Sequence, residues 1–426
     1  MRVFQHAGRA RHPVAVPPAL AGGGCRGRSY TCLVPLRAAL LLGALLLTAG
    51  GCQRAFVRMG LSSAFRPAAA RAIRGGWADP ALQLYAGDMH FHVTPPDSPD
   101  EVHRDFDETV QLLSASGLDF VVVSPHVGPE IGWYPPARRA FAERLRELSR
   151  SLAARGSLPL VIGGMEYTNH RWGHATVSFV DLPALLDLDK PEGGDDGWLY
   201  RAAHDRGGLV VANHALVTPL DSSIDAARVD LSWRPLSRTA PEPWPADVAA
   251  LDELLDGYEV YNVAAAQLRD RYLLGDTLAT TTETLARLDA EILRRGRRLV
   301  PIGSTDSHEP FTRPTTFVAA RTLSPAALRD GFAHGRVCVR SPAPCALAVF
   351  ADEGTTSAGV GDAVRARRAL ALRWPGRGEV YRDGRSLGAF DGQAQLLVED
   401  AACHIVRLAL DGGYSGPVYV NCAFAD

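Results

Sequence analysis

The chain of 426 residues carries 45 Lys and Arg against 47 Asp and Glu, a formal net charge of −2, and 46% of it is hydrophobic. That balance leaves no global basic field, so nucleic acid is not an expected partner, while the apolar content suffices for a sizeable core and the length for two or three domains. Lys190 is the sole lysine, and the chain is rich in Ala, Gly and Pro as well as Arg, so arginine richness reflects composition bias rather than phosphate recognition.

In chain order, residues 38–48 form an apolar run after Arg37, too short to span a bilayer and suited to a signal-peptide core. It ends Ala49-Gly50-Gly51-Cys52, which resembles a lipoprotein signal. That resemblance implies removal of residues 1–51, a lipid anchor to the membrane through Cys52, and an exported protein of the periplasm or outer membrane. An ordinary signal peptide or an uncleaved anchor would also carry the chain out of the cytoplasm. Residues 52–80 show no period and read as a tether.

From residue 81 the texture becomes that of an alternating α/β domain, extending to residue 342. Gly87-Asp88-Met89-His90-Phe91-His92 closes the first strand, and strand alternation puts His90 and His92 on one face, able to offer two imidazoles to one ion. Asp97 lies in the adjoining turn-rich loop, and Pro99-Asp100 marks a helix start for residues 100–116, with His103 on its solvated face. The next apolar runs each close on a ligand type: 118–125 at His126, 158–165 at Glu166, 209–213 at His214, and 299–305 at Asp306-Ser307-His308, while Gly257-Tyr258 opens onto Glu259-Val260-Tyr261-Asn262. Helical periods fill the gaps at 138–155, 196–206, 280–297 and 323–334, so parallel strands with helices outside are expected, with chemistry at the carboxyl ends of the strands.

Trp133-Tyr134 and the Pro-rich insertion at 218–247 are expected to shape a pocket, whereas His170 and Arg171 read as a solvated loop between Glu166 and His174. Residues 343–426 change to short apolar runs between Gly and Asp turns, the pattern of a small β-sandwich. The seven cysteines show no C-x-x-C pair, which speaks against a zinc ribbon; in an oxidising compartment Cys403 and Cys422 are placed to join neighbouring strands, with Cys338 and Cys345 the other two of that region.

The ordered set Asp88-x-His90-x-His92, Asp97, Ser-Pro-His126, Gly-Gly-Met-Glu166, Trp-Gly-His174, Ala-Asn-His214 and Asp306-Ser-His308 resembles the metal motifs of the PHP (polymerase and histidinol phosphatase) superfamily. The run from Met165 to His174, with Glu259 to Asn262 and the Asp306-Ser-His308 ending, is most similar to its carbaryl-hydrolase-like (CehA/McbA) branch. The resemblance covers about residues 84–342. It implies a distorted (β/α)7 TIM-like barrel followed by the small C-terminal β domain, and two or three divalent ions of zinc, manganese or iron type. By it, His90, His92, Glu166 and Asp306 hold one ion; Glu166 bridges to a second held by His174 and His214; and Asp97, His126 and His308 hold a third.

The expected chemistry is hydrolysis by a hydroxide held between ions, since bound cations lower the pKa of water to about 7. Glu166, Asp306 and His308 stand closest to it, and no nucleophile elbow or phosphate-cradling P-loop competes. Three dications against three carboxylates and a hydroxide leave roughly two positive charges, which favours a small-molecule phosphoester. Two alternatives stay open: a carbamate, carboxylic ester or amide hydrolase, and a non-catalytic metal-containing recognition lipoprotein. Nothing in the chain sets an oligomeric state.

Overall fold

The computed structural model describes residues 70–127, 135–156, 159–169, 172–186, 188, 195, 197–216, 233–236, 246–271, 281–352 and 357–424. The apolar run at 38–48, Cys52, Trp133, Tyr134, His170, Arg171 and most of the insertion after Leu216 lie outside them.

Eighteen strands are found among the described residues: β1 (Gln83–Phe91), β2 (Phe120–Val123), β3 (His126–Val127), β4 (Leu160–Asn169), β5 (Gly173–Ser178), β6 (Leu209–Ala212), β7 (Gly257–Asn262), β8 (Val300–Ser304), β9 (Thr316–Ala320), β10 (Val337–Val339), β11 (Ala348–Ala351), β12 (Ser357–Ala358), β13 (Ala363–Val364), β14 (Ala369–Arg382), β15 (Arg385–Leu397), β16 (His404–Leu410), β17 (Gly413–Ser415) and β18 (Val418–Val420). The helices are α1 (Phe106–Ala115), α2 (Pro135–Ala154), α3 (Leu182–Leu186), α4 (Trp198–His204), α5 (Ala246–Asp252), α6 (Val263–Arg271), α7 (Thr281–Arg295) and α8 (Pro325–Ala333). The molecule is a mixed α/β protein built on a large sheet. Helix α1 starts later than Pro99-Asp100 suggests: residues 98–102 close a turn through Val102 N–H on Ser98 O (2.9 Å), and Asp105 caps the helix in a capping box with Glu108.

The strand order runs β10, β9, β1, β2, β4, β5, β6, β7, β8. Pairings β1–β2, β2–β4, β6–β7 and β7–β8 are parallel. The expectation of parallel strands fails at β9, antiparallel to β1 and β10, and again at β5, which is antiparallel to both neighbours. At β5 the reason is the link: between Asn169 and Gly173 there is no room for a crossover helix, and only a hairpin closes. Beyond β8 the chain returns to β1 through an isolated bridge between Phe91 and Ser307 and the bond from Asp306 N–H to His90 O (3.0 Å).

Alternation along β1 divides two apolar clusters. Tyr85, Met89 and Phe91 belong to the main one with Phe120, Val122, Ile302 and Leu288, while Leu84 and Ala86 join Phe317, Leu347, Val349, Leu372 and Leu408 on the other side. A Cβ at Gly87 would stand 2.2 Å from the Phe120 ring it pairs with, so glycine is what lets β1 and β2 close there. The second cluster also takes in strands of residues 343–426. Strand β17 pairs with β10, and the C-terminal strands share their core with β1 and β9, so no clean break falls at 342/343. The last part of the expected tether packs there too, Trp77 Nε1–H donating to Val360 O at 2.8 Å. The long strand β15 has no counterpart among the apolar runs of the sequence. Disulfides join Cys338 to Cys345 and Cys403 to Cys422, with Cα separations of 5.9 and 4.3 Å.

Candidate metal centre

Backbone geometry brings the candidate ligands to one place. His90 sits near the end of β1 with His92 just past it, His126 opens β3 in register with Glu166 of β4, His174 lies one residue into β5, His214 comes just after β6, and Asp306 and His308 just after β8. Apart from His126 and His308, which are partly exposed, and Asp306, half-buried, they are buried. His214 and Asp306 hold left-handed backbone, with φ of 30° and 50°, a region that non-glycine residues enter uncommonly.

Glu166 is the hub. Its Oε1 lies 2.9 Å from His174 Nδ1, 3.4 Å from His214 Nε2 and 2.9 Å from Asn213 Nδ2, while its Oε2 lies 3.1 Å from His126 Nε2, 3.4 Å from His90 Nε2 and 3.6 Å from His92 Nε2. One carboxylate thus serves two separate sets of imidazoles, one through each oxygen. Burial by itself would raise its carboxyl, but the charges of His90 and His174 hold it well below the usual range. Asp306 is likewise held low against its burial, by His90 and His92, with Oδ1 3.2 Å from His92 Nε2 and 3.5 Å from His308 Nδ1.

The groups able to share an ion are His90, His92 and Asp306; Glu166, His174 and His214; and His92, His126 and His308. A fourth, Asp97 with Glu101 and His126, includes the exposed Glu101. Asp97 stands behind the others: Oδ2 accepts from His92 Nδ1 (2.9 Å), while Oδ1 accepts from the His126 backbone N–H (2.8 Å) and lies 3.3 Å from His126 Nδ1, orienting both rings.

A test of whether cations fit is the His90–His92 pair, whose Nε2 atoms are 3.0 Å apart. With its Nδ1–H bonded to Asp97, a neutral His92 presents a lone pair at Nε2. If His90 carries its proton on Nε2, its fully buried Nδ1 faces Glu259 Oε1 at 3.5 Å lone pair to lone pair; if on Nδ1, two Nε2 lone pairs meet. Only added positive charge satisfies both, either a second proton on His90, whose burial opposes charge but whose neighbours Glu166 and Asp306 raise its pKa well above the ordinary value, or a divalent cation. The mixed imidazole and carboxylate donors suit borderline ions of the zinc, manganese or iron kind.

Several supporting residues escape sequence reading as site members. Glu259 accepts from Ser304 Oγ–H, from His214 N–H and from Asn262 Nδ2 (3.1 Å), and Asn262 Nδ2 also reaches Asp306 Oδ2 at 3.1 Å. Asn213 is fixed by Thr176, whose N–H and Oγ–H both donate to its Oδ1. Asp88, wholly buried, accepts from Thr305 N–H (2.9 Å), Thr305 Oγ–H and Thr312 Oγ–H (2.8 Å); burial pushes its carboxyl up to about 6. The signal available for Glu259 and Asn262 is their place at the end of a buried strand in the Glu-Val-Tyr-Asn run. For Asp88 and Asn213 it is adjacency to a ligand.

No family model and no curated protein matches the chain. Among solved structures, it is similar to a two-domain protein from Bacteroides vulgatus described as containing a predicted PHP-like metal-dependent phosphoesterase, at 14% identity and TM-score 0.41, over 81% of this chain and 98% of that one. It is also similar to PsfC from Pseudomonas syringae, at 17% identity and TM-score 0.31, over 58% of this chain and 88% of that one. A third is Endonuclease Q in complex with a 27-mer duplex, at 12% identity and TM-score 0.32, over 58% of this chain and 56% of that one. TM-scores this low leave the likeness at the level of description.

Proposed function

We propose that the chain is an exported metal-dependent hydrolase of the PHP superfamily, in its carbaryl-hydrolase-like branch, and that it acts on a small-molecule phosphoester. The observation that carries this is the Glu166 carboxylate, whose two oxygens face two different sets of histidines, as a ligand shared between ions would. Ions held there supply activation of water near neutral pH and neutralisation of charge that develops on the substrate. The chain's own part is to hold the donors: Asp97 turns His92 and His126 inward, Glu259 faces His90, and Asn213 and Asn262 steady Glu166 and Asp306.

Charge supports the choice of ester. With Asp88, Glu259 and Arg104 counted beside Asp97, Glu166 and Asp306, three dications and a hydroxide still leave roughly one positive charge by formal bookkeeping. An aryl or nucleoside portion rests on Trp133, Tyr134 and the insertion after Thr218; the first two and most of the third lie outside the described residues. Export is supported by the two disulfides, which belong to oxidising compartments.

The deciding experiment loads the purified mature chain with manganese or zinc, counts ions by elemental analysis, and assays 4-nitrophenyl phosphate, bis(4-nitrophenyl) phosphate, 1-naphthyl methylcarbamate and 4-nitrophenyl acetate side by side. Two or three ions per chain and turnover of a phosphoester, lost in His90→Ala, are expected. Turnover of the carbamate or acetate alone would replace phosphoester with the neutral-ester reading, and fewer than one ion per chain would remove the metal reading altogether.

A further inference from the structure

Arg104 is buried, 3% exposed, and its hydrogen bonds go to three backbone carbonyls and the Ser307 hydroxyl. It sits immediately before Asp105, the cap of α1, so the start of that helix sets where its side chain enters the interior. The guanidinium spans two segments that are far apart in sequence. Nη2 donates to His92 O and, at 2.9 Å, to Ser307 O; Nη1 donates to Ser307 Oγ at 3.1 Å and to Glu309 O. Its plane lies over the Phe91 ring, 4.2 Å from the centroid. The adjoining His103 adds its N–H to His308 O at 2.9 Å and its Nδ1 to Glu309 Oε1 at 2.8 Å.

We propose that Arg104 is a positioning residue that fastens the His90–His92 end of β1 to the Asp306–His308 segment, and so sets the part of the metal centre that depends on both. The inference rests on the metal reading above. Its physical basis is that β8 and β1 share no regular ladder here: beyond the Phe91–Ser307 bridge, the bonds of Asp306 N–H to His90 O and of Thr305 to Asp88 are what join them. A planar fork of donors meeting three carbonyls and a hydroxyl holds the Asp306 segment, with its left-handed φ of 50°, at a fixed distance from His92. The Glu166–His174–His214 group is carried by β4, β5 and β6, which are joined by continuous ladders and do not use Arg104. The clamp is therefore one-sided, and so is its consequence.

The test compares wild type with Arg104→Met and Arg104→Lys by ion count and by competition with a chelator, using manganese alone as the probe, alongside melting in the presence of chelator. Wild type should hold two or three ions. Both variants should hold one tightly and bind the remainder about 10–100-fold more weakly, the range for outer partners of metal ligands. The lysine variant should fare no better than methionine, because an ammonium lacks the fork. If Arg104→Met does not fold, Arg104→Lys and Ser307→Ala, which removes one acceptor, are read in the same way. Unchanged affinity in the variants overturns the proposal, as does uniform loss of all ions with an equal loss of melting temperature under chelator, which marks general destabilisation. Rescue by lysine would assign the effect to charge rather than to geometry and overturn the clamp. A wild type without ions overturns the metal reading, and the clamp with it.

Discussion

Glu166 and Glu259 are both buried carboxylates among histidines, yet their partners differ in kind. Glu166 meets imidazole nitrogens through both oxygens, while Glu259 meets Ser304, Asn262 and the His214 backbone, with only His90 Nδ1 at 3.5 Å. Glu166→Gln is accordingly expected to lower hydrolysis by more than about 100-fold and to reduce the ion count. Glu259→Gln should stay within the roughly 10–100-fold range of outer partners with its ions retained at saturating metal. Equal losses in the two variants, measured as kcat/KM beside elemental analysis, would place Glu259 among the ligands. Sequence reading makes Glu166 a candidate because it closes an apolar run, and its central place is what the family resemblance implies. It leaves Glu259 out because nothing in Glu-Val-Tyr-Asn shows whether a carboxylate at a strand end meets an ion or a hydroxyl.

Among the elements, the C-terminal hairpin offers a pH-dependent tie. Asp383, in the turn between β14 and β15, has φ of 51° and accepts from Ile405 N–H (2.8 Å) and His404 Nδ1 (2.7 Å), while Asp400 meets the other ring nitrogen at 3.0 Å. Burial would lower the His404 pKa, but the bonds to Asp383 and Asp400 raise it above the ordinary value. A raised folded pKa means that the charged pairing contributes fully below the unfolded value of about 6.5 and is lost as pH rises through the folded one. The melting-temperature gap between wild type and His404→Gln should thus be largest in mildly acidic buffer and shrink on the alkaline side. A gap independent of pH would mean that the ring acts by packing. Sequence shows β14 and β16 as apolar runs but not β15, where Gly388, Gly392 and the exposed Ser386, Asp391, Gln393 and Gln395 break up Leu387, Phe390, Leu396 and Leu397. Its pairing with β14 is what makes it a strand.

At the scale of the whole molecule, the main α/β part and the C-terminal strands are tied together. A buried ion pair joins Asp289 of α7 to Arg407 of β16, at 2.7 Å through Nε, and Arg407 Nη1 also donates to Ser415 O. With β10–β17 pairing and the shared apolar cluster, this joins residues 81–342 and most of residues 343–426 in a single folded body. Among the described residues no helix is long and apolar enough to cross a membrane. The proposed anchorage is through Cys52, and mass spectrometry of the mature N-terminus is its check. A diacylated or triacylated Cys52 followed by Gln53 is expected, with no free thiol at Cys338, Cys345, Cys403 or Cys422. An unmodified start well beyond Cys52, or four free thiols, would mean a different route or compartment.

Residue order alone determined the α/β alternation and the candidate ligands at strand ends, because a period of two or of 3.6 and a polar residue closing an apolar run are local properties. Which oxygen of Glu166 faces which histidine, the retreat of Asp97 behind His92 and His126, and the clamp of Arg104 across more than 200 residues to Ser307 depend on strands distant in sequence lying side by side. The antiparallel turn at β5 was within reach, since the link from Asn169 to Gly173 is too short for a helix. The merging of the C-terminal strands with the main sheet was not, because alternation at Leu84 and Ala86 shows a buried face without saying which segment buries it.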